Sequence, residues 1–338
     1  MERPIEISEE RQKAFKLQQI ISVVGLLLFG LKLGAYFITK SVAILTDALE
    51  SIANVIAGFF SLYSLYLAAQ PRDKEHPYGH GKVEFISAGV EGILISLSGI
   101  FIFYESILRL FNPTEVNDLG WGILAVLIGA LVNGFIGFKA LKMGKKTNSL
   151  ALVASGKHLM SDVYSSIGLL LGLVMMYFVK WPWLDSVLAM IFAAIILITG
   201  IKIIRESVAG IMDEADNDLV ENIVKQLNEK RRDAWIDVHN LRVIKYGAKL
   251  HIDCHLTLPW YYNLKEAHEE MDYFNWLIND YCGDKVELFM HTDFCLPQSC
   301  KICILDNCKV RQQPFEKRVT FTSDNIFINR KHSINDAK

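Results

Sequence analysis

The sequence carries no surplus of basic residues: 35 Lys and Arg stand against 37 Asp and Glu, a formal net charge of −2. That balance argues against a nucleic-acid partner, whose phosphates call for a basic surface. Cysteine is missing from everything before Ile204, and all six cysteines follow it. No H-E-x-x-H or comparable helical motif occurs, so an intramembrane metalloenzyme would lack its ligands and general base, and no catalysis is expected. The first apolar stretch has neither the short apolar core nor the small-residue cleavage site of a removable signal peptide, and is expected in the mature protein.

Long apolar runs are abundant in the first two thirds of the chain. Six run from Leu17 to Thr39, Ser41 to Ala69, Phe85 to Phe111, Gly120 to Leu141, Leu150 to Val179 and Trp183 to Ile204. Each is long enough to cross a hydrocarbon core roughly 30 Å thick at about 1.5 Å per residue. Basic residues collect on one side. Arg3, Arg11, Lys13 and Lys16 precede the first run, Arg72, Lys74 and Lys82 follow the second, and Lys139, Lys142, Lys145 and Lys146 follow the fourth. The other side has little beyond Lys40 and Lys180, so both termini are expected in the cytoplasm. Tyr36, Trp121, Trp181 and Trp183 suit an outer aromatic belt. Gly89, Gly92, Ser96 and Gly99, and then Gly122, Gly129, Gly134 and Gly137, permit close helix packing.

After Ile204 the chain turns polar. Asp216 to Lys230 reads as a helix with Leu219, Ile223 and Leu227 at helical spacing, Val238 to Tyr246 and Leu250 to Leu258 as strands joined at Gly247, Leu264 to Tyr281 as a second helix and Val286 to His291 as a third strand. Helix, strand, strand, helix, strand is an α+β sandwich with its helices on one sheet face. The expected organisation is a cytoplasmic segment 1–16, a six-helix transmembrane domain 17–208, a cytoplasmic domain 209–295 and a Cys-containing tail 296–338, polar and poorly ordered apart from whatever its cysteines hold.

Within the apolar runs, ionisable residues fall on two stripes. Successive helical residues are offset by about 100°, so Asp47, Glu50 and Asn54 fall within roughly 60° of one another, and His158 and Asp162 within roughly 40°. Each such group costs roughly 2.5–3.5 kcal/mol near the bilayer centre, which points to an ion that uses them. Facing stripes would supply carboxylate, imidazole and amide donors suited to a divalent first-row metal. The plainer reading is an interhelical hydrogen-bond pair. Lys32 and Glu91 are further charges in these runs, able to pair with each other or with Asp47, or, for Lys32, to reach the interface.

Ser41 to Asn54, the loop Gln70-Pro-Arg-Asp73-Lys-Glu-His76-Pro-Tyr-Gly-His80-Gly-Lys82, and His158-Leu-Met-Ser-Asp162 resemble the cation diffusion facilitator family, over a stretch from Leu17 to Cys295. The resemblance implies a homodimeric exporter in a bacterial inner or plasma membrane, with a six-helix transmembrane bundle and a ferredoxin-like cytoplasmic domain. Spans two and five would form a site exchanging cytosolic divalent metal for protons, with no organic cofactor. One departure concerns positions that usually read His or Asp, then Asp four residues on, matched to Glu50 and Asn54. An amide there lowers the charge of the site unless Asp47 joins it. Histidine and carboxylates suit zinc, iron, cobalt or nickel, and oxygen-richer ligation manganese. A metal-responsive sensor or scaffold with little transport is the alternative that this departure keeps open.

The resemblance also suggests a loop site at Asp73, His76 and His80, against the plainer reading of a solvated turn shaped by Pro77 and Gly79, with Glu75 a spare carboxylate. His239, His255, His268, His291 and Asp293 resemble positions that bind metal at the dimer contact of relatives; His251 reads as an ordinary surface residue. Cys295, Cys300, Cys303 and Cys308, spaced C-x4-C-x2-C-x4-C, read as a thiolate site, most simply for zinc, or as uncoordinated thiols. The first three share a plant-type iron–sulfur spacing that needs a distant fourth cysteine. Cys254 and Cys282 read as packing residues. If the histidines couple cytosolic metal to dimer geometry, replacing His255 and His268 by alanine raises the metal concentration needed for half-maximal transport. An unchanged dose response removes that coupling.

Overall fold

The computed structural model describes residues 9–39, 42–111, 119–179, 182–247, 249–282 and 286–337, without some of the side chains in the helices. The chain divides into two compact units, Met1–Met212 and Asp213–Lys338.

The first unit is helical. Its elements are α1 (Glu9–Thr39), α2 (Val42–Ala68), α3 (Val83–Phe111), α4 (Leu119–Thr147), α5 (Leu150–Val179) and α6 (Pro182–Ile211). Among the described residues, Gln12–Gly34, Val83–Leu108 and Leu127–Thr147 are long and apolar enough to cross a membrane. Large apolar side chains such as Leu27, Leu131 and Phe138 point outward, while Ser61, Ser87, Glu91 and Ser155 are buried. A hydrocarbon surround inverts the usual economy in this way, since contact with lipid costs an apolar side chain nothing.

Small residues set how closely the helices approach. A methyl group at Gly200 of α6 would stand 2.8 Å from the Ser96 backbone nitrogen and 2.9 Å from the Gly92 carbonyl of α3. One at Gly156 of α5 would stand 2.8 Å from the Leu141 nitrogen of α4. Gly129 has open space beside it, so the glycines of α4 divide into those that serve packing, such as Gly137, and those that do not.

The second unit comprises α7 (Asn217–Glu229), β1 (Asp237–Tyr246), β2 (Lys249–Leu258), α8 (Leu264–Cys282) and β3 (Val286–Phe294). Asp216 caps α7 by accepting the Leu219 amide at 3.1 Å. The β1–β2 turn carries Gly247 at a φ of 60°, a left-handed conformation that glycine adopts without strain. The sheet order is β1-β2-β3, with β1–β2 antiparallel and β2–β3 parallel. A parallel return needs a crossover, and α8 is that crossover. Along β2, Ile252, Cys254, Leu256 and Leu258 point into one core with Val220, Ile223 and Leu227 of α7 and Phe274 and Leu277 of α8. The alternate residues His251, Asp253, His255 and Thr257 occupy the other face, following the strand period of two.

Residues 296–337 depart from the expected poorly ordered tail. Phe321 and Ile326 join the core of the sheet and helices, while Ile302, Cys303 and Val319 form a second cluster with Ile236. Asn228 clamps the Phe321 backbone, donating to its carbonyl at 2.8 Å and accepting its amide at 3.0 Å. Arg231 lies over the Phe321 ring, 4.1 Å from its centre, and donates to the Val319 carbonyl at 2.6 Å. The amides of Asn240 and Leu241 donate to the carbonyls of Ile328 and Ile326, each at 3.0 Å, so the segment straps the free edge of β1. An edge strand left bare invites pairing with other chains, and this one is covered. The apolar residues that drive the packing, such as Val319, Phe321 and Ile326, are too few in this polar segment to sustain a helical or strand period. Because Phe321 is only 2% exposed, Phe321→Ala costs about 3–5 kcal/mol. Chemical unfolding checks this; a loss near zero would mean the segment is detached in solution.

Candidate metal centres

His158 lies on α5 at 6% exposure, with Asp162 one turn on and partly buried. Asn133 of α4 donates to Asp162 Oδ2 at 3.4 Å, and the Ser165 hydroxyl donates to the Asp162 carbonyl at 2.9 Å. Asp47, Glu50 and Asn54 sit on α2 with their side chains outside the described residues. Two polar partners escaped the sequence reading. Asn133 is one, signalled only by an amide in an apolar run. Ser51 is the other: four residues after Asp47 and so on its helix face, it accepts from Lys32 of α1 at 2.9 Å. Glu91 of α3 instead accepts from Ser155 of α5 at 2.7 Å, and the Ser61 hydroxyl of α2 lies 3.0 Å from that of Ser155.

The loop between α2 and α3 brings Asp73, His76 and His80 together, their donor atoms within 4.8 Å of one another. Asp73 Oδ1 stands 3.2 Å from His76 Nδ1 and Asp73 Oδ2 stands 3.2 Å from His80 Nε2. Gly79, at a φ of 94°, makes the turn possible, and its amide donates to the His76 carbonyl at 2.9 Å. The amides of Glu75 and His76 donate to Asp73 Oδ1 at 3.0 and 2.6 Å, so Glu75 contributes its backbone here. The His76 amide bond is the main reason that the Asp73 carboxyl lies below its ordinary pKa, ready as an anionic donor.

The second cluster is on the sheet. His239, His255 and His291 stand directly opposite one another across β1, β2 and β3, and Asp293 lies two residues beyond His291 on the same face. Donor atoms of His239, His255 and Asp293 lie within 4.8 Å of one another. Asp293 Oδ2 stands 3.2 Å from His255 Nδ1 and 3.5 Å from His239 Nε2. The His291 ring centre is 4.8 Å from that of His255, near enough for a further donor. Two imidazoles and a carboxylate fit a tetrahedral divalent metal with one position left over. Along β1, a bulge follows His239 before Arg242.

One expectation needs correction, that of His251, while His268 and the four cysteines stand outside the two clusters. His268 does not join this set within one protomer: it is exposed on α8 and meets Asp272 at 3.7 Å. His251 is buried rather than on the surface, beside Glu287 at 3.4 Å and edge-on to Tyr246. The thiols of Cys295, Cys300, Cys303 and Cys308 form no group with three donor atoms within 4.8 Å; among the described residues, the Asp73 and His239 clusters are the groups that do. Cys295 packs against the second core that holds Cys303, and Arg311 ties down the carbonyls of Cys300, Cys303 and Leu305 at 2.8–2.9 Å. Burial pushes the Cys254 thiol up to about 12 and that of Cys282 up to about 11, as packing residues require.

The sequence reading also missed Asp237 and His332. Asp237 is buried, 3.0 Å from His239 Nδ1, and His332 Nδ1 lies 2.5 Å from its other oxygen. Burial alone would raise the Asp237 carboxyl, but contacts with His239 and His332 hold it well below the ordinary range. Burial opposes the charged His332 imidazole too, yet the Asp237 carboxylate keeps its pKa above normal.

Residues 19–212 match the family model of the cation efflux transmembrane domain, and residues 215–295 that of the cation efflux protein cytoplasmic domain. The chain belongs to the cation diffusion facilitator family. It is 33% identical to a transporter of Synechocystis sp. over 240 residues, 71% of this chain and 77% of the relative. It is 26% identical to the manganese efflux system protein MneP of Bacillus subtilis over 272 residues, 78% of this chain and 90% of the relative. It is also 28% identical to the cation-efflux pump FieF of Citrobacter koseri over 257 residues, 73% and 82% of the two chains. Members of this cation diffusion facilitator family are membrane transporters for cation efflux and not enzymes. In the loop cluster, His80→Ala leaves two half-exposed donors, and cobalt(II) binding there weakens at least about tenfold by equilibrium dialysis. Unchanged binding would make the loop a plain turn.

Proposed function

We propose that the chain exports divalent transition-metal cations from the cytoplasm in exchange for protons, with zinc or iron as leading substrates and manganese, cobalt or nickel as others. The observation that carries the reading is His158 buried on α5 with Asp162 one turn away, inside a segment matching the cation efflux transmembrane domain. The proposed transport site adds Asp47, Glu50 and Asn54 from α2. Six membrane crossings with both termini cytoplasmic are proposed, a reading that six long helices and the one-sided Lys and Arg support. The proposed organisation keeps the transmembrane domain at 17–208 and a ferredoxin-like domain at 209–295, in a homodimer within a bacterial inner or plasma membrane.

A metal ligand must be deprotonated, so loading the site expels protons and unloading takes them up. His158, whose imidazole nitrogen can hold either a metal ion or a proton, is the proposed proton acceptor. Proton and metal then compete for one site, and a bundle that moves either occupant but not the empty anionic site is an antiporter. The names of the relatives, a manganese efflux protein in B. subtilis and a cadmium, cobalt and zinc antiporter in Bacillus velezensis, support this class without choosing the metal. The loop and sheet clusters are proposed as cytosolic metal centres, with exposed His268 and the remaining fourth position available to a second protomer. A ligand that favours one dimer arrangement shifts its population, which is the proposed regulation.

A test reconstitutes the full chain in proteoliposomes under an imposed pH gradient and scans zinc, iron, manganese, cobalt and nickel, with Asp162→Ala as the blank. The expected result is gradient-dependent uptake of one or two metals that falls to background in the blank. No flux for any metal from folded dimer favours a metal-responsive sensor instead.

A further inference from the structure

Residues 296–337 lie beyond both family-matched segments, yet they return to the histidine row. His332 is 2% exposed. Its backbone amide donates to Asp237 Oδ2 at 2.9 Å and its Nδ1 stands 2.5 Å from Asp237 Oδ1. The Asn325 carbonyl occupies the other side of the ring, 3.0 Å from Nε2. Asp237 Oδ2 then stands 3.0 Å from Nδ1 of His239. The Asp237 carboxylate therefore stands against the Nδ1 side of the His239 ring, and Asp293 Oδ2 lies 3.5 Å from its Nε2. The adjacent strap residue meets a second ligand: Lys331 Nζ is 3.4 Å from Asp293 Oδ1 and donates to the Phe294 carbonyl at 2.6 Å. Asp293 Oδ2 remains with the two imidazoles.

We infer that the carboxy-terminal strap is the outer shell of the His239–His255–Asp293 centre, with His332 a positioning residue that fixes Asp237 and through it the ligating orientation of His239. This rests on the reading of that cluster as a divalent metal site. Asp237, His239 and His332 are all buried, and the contacts that join them are made through the Asp237 side chain, outside the strand ladders. Outer-shell partners of ligating histidines are commonly worth about 10–100-fold in metal affinity. The strap thus supplies to a family-wide domain a tuning element from outside it.

The test uses the full chain in detergent, with His80→Ala and Asp162→Ala removing the other histidine centres. Cobalt(II) is titrated by its visible absorption, with His239→Ala as baseline; nitrogen and oxygen ligation is told from thiolate ligation by the missing sulfur-to-metal charge-transfer band. In that parent, His332→Ala is expected to weaken the His239-dependent signal about 10–100-fold. His332→Asn, which keeps an N–H donor toward Asp237, recovers most of it. A folded His332→Ala binding cobalt like the parent overturns the inference, as does a His332→Asn no better than alanine. Should His332→Ala not fold, hydrogen exchange of the parent decides. By reciprocal linkage cobalt must slow exchange of the His332, Asn240 and Leu241 amides, and unchanged exchange overturns the inference. A parent with no His239-dependent cobalt signal takes down the metal-centre reading itself, an outcome distinct from both.

Discussion

A buried polar group without a partner costs about 1–3 kcal/mol in a protein interior, and an ionised one more. That constraint organises both units. In the bundle, Gln18 and Ser22 of α1 both donate to the Gly58 carbonyl of α2, and Ser207 of α6 donates to the Phe85 carbonyl at the start of α3. Glu84 accepts from Ser149, tying α3 to the residue before α5. These short side chains reach a neighbouring backbone only where helices approach closely, so the small residues and the hydrogen bonds depend on each other.

The same constraint separates the candidate centres by character. Asp73 and His76 are half exposed and held by one tight turn, so ligands and solvent compete for the same atoms. His239 is almost fully buried and fixed by contacts from three strands and a strap. Preorganised donors give up less freedom when they bind, and the sheet cluster is the more preorganised of the two. His158 and Asp162 lie between these extremes: a buried imidazole beside a partly buried carboxylate that has an amide partner.

Strap and sheet also show how a short domain manages an exposed edge. The left-handed Asn240, at a φ of 52°, interrupts the β1 ladder where the strap makes its two backbone bonds. The ladder bonds that β1 cannot make on that side are thus replaced by a segment arriving from the far end of the chain. In reaching that edge, the strap places His332 and Lys331 against the two carboxylates that flank the histidines.

Local periods were legible in the sequence because they need only neighbours along the chain. Apolar length marked the helices, alternation marked β1, β2 and β3, and their shared period of two put histidines and Asp293 on one face. The motif His76-Pro-Tyr-Gly-His80 announced its turn through the glycine. Contacts across long separations were not legible: Asp237 and His332 are 95 positions apart, and nothing in either neighbourhood names the other. Nor could spacing alone say that Cys295 and Cys303 share one core cluster, because Ile236 and Val319, which complete it, are distant along the chain. Sequence by itself determined which segments are apolar, which residues can ligate and which family the residues resemble. Tertiary structure alone decided which donors meet, because packing and the cost of unpaired buried groups are settled between elements rather than within them.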